Sequence, residues 1–260
     1  MEKYKVVIVG AGIAGMSAAI NLKRAGINPL IIENNAPGGT LNYIPNIENY
    51  PGFESISGPD LAMNIYNQVN NLDIKIKSVN ISDIDLDKKI INNDIEFEYL
   101  IIATGRKSRT LELDNEKKLL GRGISTCALC DGMFYKEKDV IVVGGGNSAL
   151  TESLYLSNIC KKVTIIIRRD NFTGDKYLID RVGNKKNIKV INNSNIISYN
   201  TKKDTLVSVT LDNKKRVKTN GVFLALGGIP NSKLFNVEKE NDYILVNNKY
   251  ETNIPYVYAI

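Results

Sequence analysis

Lys5-Val6-Val7-Ile8-Val9-Gly10-Ala11-Gly12-Ile13-Ala14-Gly15 decides the fold. A short β-branched strand runs into three glycines at the spacing of a dinucleotide fingerprint, and a helical stretch from Met16 to Ala25, closed by Gly26, follows. Gly10 makes the tight turn, Gly12 lets the backbone approach a pyrophosphate, and Gly15 lets helix and strand pack closely. The diphosphate then sits on the helix N-terminus and its unpaired N–H groups. The next strand, Leu30 to Ile32, ends in Glu33, at the distance of roughly 20 residues where a carboxylate accepts both ribose hydroxyls.

The pattern recurs. Asp139 to Val143 reads as a strand, Gly144-Gly145-Gly146-Asn147-Ser148-Ala149 as the turn, the stretch through Leu156 as a helix and Val163 to Ile167 as the next strand. A constant offset of 134 carries Gly10, Gly12, Gly15 and Glu33 onto Gly144, Gly146, Ala149 and Ile167. The carboxylate is gone, and Arg168-Arg169 follow. An acid repels a 2′-phosphate and guanidiniums clamp one, so the first site suits a free ribose and the second NADPH. Each copy precedes alternating segments that read as a β-meander, Ile74 to Ile91 and Ile188 to Leu211. Each meander leads to an apolar strand with a glycine end, Tyr99 to Gly105 and Val222 to Gly227. The expected fold is α/β: two Rossmann-like, three-layer ββα dinucleotide-binding domains, the second inserted into the first. Residues 1–108 and 237–260 form the first and 109–236 the second, with boundary segments near Arg106–Leu113 and Asn231–Val237.

Composition narrows the chemistry. Of 260 residues, 43% are hydrophobic and 24% charged, ordinary for a globular protein, and no apolar run of membrane-spanning length occurs. Only Val6 to Val9 follow the charged start before glycines begin, too few for a signal peptide, so a cytoplasmic protein is expected. The net charge of +6 comes from scattered lysines, with no basic stripe interleaved with aromatics, which argues against a nucleic-acid partner. Histidine is absent, which removes imidazole catalysis and histidine-held metals. Three cysteines are too few for a four-thiolate zinc site, and no metal is expected.

Two of the cysteines stand in Cys127-Ala128-Leu129-Cys130-Asp131, just ahead of the second glycine turn. A CxxC pair beside two nucleotide sites suits the passage of two electrons into a disulfide. Two ordinary buried thiols, or half of a zinc knuckle, is the alternative. Asp131 is the titratable residue adjacent to the pair. Cys160, at the end of the second helix, reads as core packing.

From Lys5 onward the chain resembles the bacterial-type, low-molecular-weight thioredoxin reductases. Beyond the glycine turns, the resemblance rests on Pro37-Gly38-Gly39-Thr40-Leu41, Glu48-Asn49-Tyr50-Pro51-Gly52-Phe53, Ala103-Thr104-Gly105, Gly121-Arg122-Gly123-Ile124-Ser125 and Gly227-Gly228-Ile229-Pro230-Asn231. It implies FAD on the first fold, NADPH on the second, a homodimer, and a thioredoxin-like disulfide protein as substrate. FAD would be held by Gly10, Ala11, Gly12, Ile13, Ala14, Gly15, Glu33 and Asn34, by Gly39, Thr40, Leu41, Asn49 and Val79, and by Ala103, Thr104 and Gly105. NADPH would be held by Gly144, Gly145, Gly146, Asn147, Ser148 and Ala149, with Arg168, Arg169 and Gly227. Cys130 would exchange electrons with the flavin, Cys127 would form the mixed disulfide, and Asp131 would act as general acid. Rotation of one domain against the other, hinged at the boundary segments, would bring each site to the flavin in turn.

The match breaks in three places. Ile167 and Thr173 stand where the family has a histidine before the arginine pair and a third arginine after it, which opens the alternative of ferredoxin or another donor. Position 228 is glycine where histidine is common. Thr252 to Ile260 resembles the strand before the family's Gly-Asp motif, and neither that motif nor a closing helix follows, so a C-terminally truncated chain, in the extreme an inactive remnant, is the expectation here.

Overall fold

The computed structural model describes residues 1–260, which form two compact units. The first comprises residues 1–42, 56–107 and 229–260; the second, 43–55 and 108–228.

In the first unit β1 (Glu2–Val9), α1 (Ile13–Arg24), β2 (Pro29–Glu33), α2 (Gly58–Asn71) and β3 (Lys75–Ser78) precede β4 (Ile84–Asp85), β5 (Ile90–Ile91) and β6 (Ile95–Ile102). The sheet order is β3-β2-β1-β6-β5-β4, parallel from β3 to β6, with Val257–Ala259 added in parallel along the end of β6. From Val6 to Val9 β1 is apolar and buried without interruption, because both faces of that half are covered. Val6 and Ile8 pack with Met16, Ala19 and Ile20 of α1, whereas Val7 and Val9 join Leu30, Leu100 and Phe235 on the other side. Each such side chain contributes about 1.5–3 kcal/mol on burial. α2 starts at Ser57, whose hydroxyl accepts the Asp60 N–H, an N-cap that satisfies one orphan donor of the first turn. A connecting strand, β7 (Arg106–Ser108), pairs with Gly228–Pro230.

The second unit contains α3 (Glu116–Leu119), β8 (Ile124–Ser125), α4 (Ala128–Asp131), β9 (Asp139–Val143), α5 (Asn147–Ser157), β10 (Lys162–Ile166), α6 (Lys176–Gly183) and β11 (Ile188–Ile191). These are followed by β12 (Ile196–Lys202), β13 (Thr205–Leu211), β14 (Arg216–Lys218) and β15 (Gly221–Leu224). The sheet β11-β10-β9-β15-β8 is parallel throughout, and β12-β13-β14 forms an antiparallel layer of its own. Val140, Val142, Val163 and Phe223 face α5; Ile141, Val143, Val222 and Leu224 face Tyr199, Leu206 and Val209 of the antiparallel layer. This is the three-layer ββα arrangement expected from the alternation.

Three expectations need correction. The first segment of each supposed meander, Lys75–Ser78 and Ile188–Ile191, is the third parallel strand of its sheet, because alternation over four residues does not distinguish a sheet edge from a hairpin. Residues 229–236, expected in the inserted domain, group with the first unit, where Phe235 is fully buried beside Val7 and Leu100. Residues 43–55, expected in the first domain, group with the second, where Arg181 Nη1 donates to Glu48 Oε1 and Oε2 at 2.9 and 2.8 Å.

Candidate functional site

Two glycine turns and a thiol turn make up the candidate machinery. In the first unit Gly10 has φ +111°, and a Cβ there would lie 2.3 Å from the Ala103 carbonyl oxygen, so only glycine fits. Gly15 is crowded in the same way against the Gly10 carbonyl. Gly12 differs: nothing lies within 4 Å of where its Cβ would be, and it is the N-cap of α1 without a side-chain cap. Bare backbone over open space at a helix N-terminus is a cradle for a phosphate.

Glu33 stands beside this cradle, its Oε2 accepting the Ala11 N–H at 2.8 Å and its Oε1 accepting the Asn34 and Asn35 N–H groups at 2.9 Å each. These bonds aim the carboxylate and leave lone pairs for ribose hydroxyls. A cavity of about 340 Å³ opens here, lined by Gly10, Glu33, Asn34, Val79 and Thr104 among the expected residues. Gly39 abuts Gly12, and Gly38 N–H donates to the Ala11 carbonyl at 2.8 Å, so the 39–41 turn meets the same loop. Ala103 N–H donates to the Val9 carbonyl, and Thr104 and Asn231 clamp each other through two side-chain to backbone bonds of 2.8 and 3.0 Å. Asn49 lies in the segment that groups with the second unit. Lys107 and Lys233 also line the cavity and bring positive charge that no motif announced, since each arrives from a connector.

The second turn repeats the construction. Gly144 has φ +141°, with the Ala225 carbonyl oxygen 2.2 Å from a would-be Cβ, and Gly146 caps α5 in extended conformation. A cavity of about 590 Å³ is lined by Gly144, Gly145, Gly146, Asn147, Ser148, Arg168, Arg169 and Gly227. Ala149 is fully buried behind it. Arg168 and Arg169 are exposed and make none of the ion pairs in the chain. Thr173 is tied to the glycine loop, its N–H donating to the Gly145 carbonyl at 2.8 Å. A further cation, Arg109, lines the same cavity, supplied by the connector after β7 and marked by no local motif.

Cys127 and Cys130 form a disulfide with Cα atoms 5.4 Å apart. Cys127 is the N-cap of α4, and its Sγ accepts the Cys130 N–H at 3.0 Å, a bond that would strengthen on a thiolate. Ser125, the last residue of the Gly121–Ser125 match but given no role by it, accepts the Cys127 N–H at 3.0 Å and donates to the Cys127 carbonyl at 3.2 Å. The two residues differ in exposure: Cys127 is buried, 9% exposed, and Cys130 is exposed. Asp131 is half-buried at the end of the turn, and Met133 and Phe134, 59% and 73% exposed, follow it. Cys160 is buried, and burial pushes its thiol up to about 11, out of reach of redox work at neutral pH.

The residues fit both nucleotides: an open cradle at Gly12 beside an acid, and an open cradle at Gly146 beside two unpaired guanidiniums. No helix is long and apolar enough to cross a membrane.

Comparison with known proteins agrees with this arrangement. Residues 4–260 match the pyridine nucleotide-disulphide oxidoreductase family. A thioredoxin reductase of Rickettsia conorii is 40% identical over 258 residues, covering 93% of this chain and 83% of that protein. The crystal structure of Lactococcus lactis thioredoxin reductase superposes with a TM-score of 0.94 at 32% identity, covering 99% of this chain and 89% of that one. The T. acidophilum thioredoxin reductase structure superposes with a TM-score of 0.93 at 31% identity, over 100% and 90%. The chain is therefore an oxidoreductase of the pyridine nucleotide-disulphide oxidoreductase family, in its thioredoxin reductase branch.

Proposed function

We propose that this chain takes reducing equivalents from NADPH at the second glycine turn and delivers them, by way of FAD at the first, to the disulfide of a thioredoxin-like protein. The observation that carries the reading is the Cys127–Cys130 disulfide, held in the unit whose cavity presents Arg168 and Arg169. Flavin, when bound, supplies the conversion of a hydride into an electron pair that a disulfide can accept. Glu33 selects a free ribose, and the N-terminus of α1 receives the diphosphate, with Lys107 and Lys233 adding charge to the cavity. Arg168 and Arg169 clamp a 2′-phosphate.

Thiol chemistry then follows from the turn. A thiolate attacks one sulfur of the target disulfide, expelling the other, and the remaining thiol closes the Cys127–Cys130 bond while the target leaves as a dithiol. Asp131 is placed to hand a proton to the departing thiolate. The family resemblance gives the attack to Cys127 and the exchange with the flavin to Cys130, and the bond from the Cys130 N–H to Cys127 Sγ, which favours a thiolate there, supports that assignment. Incubation of C127S and C130S with a thioredoxin whose one active-site cysteine is activated as its thionitrobenzoate disulfide tests the assignment: C130S should accumulate the mixed disulfide as thionitrobenzoate leaves. Accumulation by C127S instead moves the role to Cys130. Anaerobic titration of purified yellow protein with NADPH, read at the flavin band, tests the whole reading, with bleaching expected at stoichiometric NADPH.

A second reading keeps the flavin and thiols but replaces NADPH with ferredoxin or another donor. Ile167 and Thr173 favour it, since Thr173 is engaged with the glycine loop and offers no charge. It predicts yellow protein that NADPH leaves unbleached. Dimer formation and a cytoplasmic location accompany the leading reading as proposals.

A further inference from the structure

Two buried side-chain polar atoms of the chain have no hydrogen-bond partner, and they are neighbours: Glu152 Oε2 and Ser153 Oγ, both on α5. An unpaired buried polar atom is costly and rare enough to require a cause. Elsewhere the chain satisfies such groups. Glu116, 3% exposed, accepts from the Tyr199 hydroxyl at 2.6 Å and from the N–H groups of Leu111 and Glu112.

The position of Glu152 supplies the cause. α4 packs on α5, and Gly132, which follows α4, lies against Leu156 and Tyr155, 3.1 and 3.2 Å from where its Cβ would be. From there the chain runs toward the C-terminal end of α5, where Glu137 N–H donates to the Ile159 carbonyl at 3.1 Å. The thiol turn, just before Gly132, itself packs on α5, with Ala128 fully buried in the cluster that holds Leu150, Leu154 and Leu156. One helical turn, about 5.4 Å, toward the N-terminus of α5 from Leu156 and Tyr155 is Glu152, on the same face by its spacing of three and four residues.

We propose that Glu152 is a positioning residue for the thiol pair: a carboxylic acid held under α4, whose O–H hydrogen-bonds the buried Cys127 sulfur once the disulfide is open. This rests on the redox reading of Cys127 and Cys130. Opening the S–S bond takes two electrons, and with uptake of one proton it leaves one thiol and one thiolate. The thiolate is the partner that the oxidised state lacks. An uncharged acid is required for such a donor, and burial alone pushes Glu152 up to about 8. The charged groups on elements packed against α5 leave it unaffected. Lys176 is paired with Asp180, Arg181 with Glu48, and Asp131, Tyr135, Asp139 and Lys162 exert no resolved influence on it.

The test follows the pH dependence of iodoacetamide alkylation of the dithiothreitol-reduced full chain, with modified cysteines identified by mass, in wild type, E152Q and E152L. At pH 7 E152L should slow alkylation of Cys127 by about tenfold, the scale of a lost hydrogen bond to a charged group. E152Q, which still donates an N–H, should slow it less and should lack the inflection near pH 8 expected of the wild type. A folded E152Q with the wild-type profile overturns the inference, and it decides alone if E152L does not fold. Failure of the pair to cycle between disulfide and dithiol would overturn the redox reading and this inference together, whereas cycling with superimposed profiles removes only Glu152.

Discussion

The two glycine folds share a backbone and diverge at one strand end. In both, a glycine at positive φ passes beneath a carbonyl of the neighbouring strand, Ala103 in one and Ala225 in the other, and a second glycine opens the helix N-terminus. Gly10 N–H donates to Ile32 and Gly144 N–H to Ile166, residues at the same offset of 134. Beyond that point the copies part. Glu33 accepts the N–H of Ala11, whereas Ile167 packs its Cγ2 3.3 Å from a would-be Cβ on Gly145, so an apolar contact replaces a hydrogen bond between equivalent positions. On the proposed reading, phosphate binding would belong to the shared turn, and ribose selection to one side chain and its successors. The helices differ too: Ala18 on α1 occupies the place that Glu152 has on α5.

The largest effect expected is on the shared part. Gly10→Val and Gly144→Val each force a side chain into a backbone carbonyl and should each cost more than about 3 kcal/mol in denaturant unfolding. Gly12→Ala should change stability by less than about 0.5 kcal/mol, because the space is open, while releasing flavin on gel filtration. Equal destabilisation by all three would break the division between steric and ligand-facing glycines.

Next is the helix difference. Glu152 has its folded pKa raised from 4.5 to about 8, so the folded state holds a proton that the unfolded chain releases between those values. Stability therefore falls as pH rises from about 4.5 to about 8, and is level above that. Glu152→Gln should remove this decline, leaving the variant more stable than wild type at pH 8.5 by on the order of 2 kcal/mol and no more stable at pH 4. Parallel stability curves for the two proteins would show that Glu152 titrates normally.

The smallest effect belongs to the strand ends. Arg168→Gln and Arg169→Gln should each raise the KM for NADPH by about tenfold and leave that for NADH within about twofold, the loss of a charge-assisted contact to a 2′-phosphate. Glu33→Gln should leave both KM values unchanged and weaken flavin retention. Equal effects of the arginine variants on the two nicotinamide donors would erase the charge distinction between the folds.

Both turns, their following helices and the thiol pair were legible because each depends on neighbours within a few residues: a glycine that must reach positive φ, a β-branched strand, a CxxC spacing that lets two sulfurs meet. What escaped was supplied from afar. Lys107, Lys233 and Arg109 reach their cavities from connectors, Phe235 fills the core of the first unit although it was expected in the second, and the third strand of each sheet was taken for a meander.

Chain order alone thus determined two nucleotide folds of opposite charge preference and a dithiol between their glycine turns, since local sterics and charge write those features into short runs. Which cysteine is exposed, which cations gather, and which acid is left with an unpaired buried oxygen on α5 were decided by packing. Burial and desolvation arise only when segments far apart in sequence close over one another.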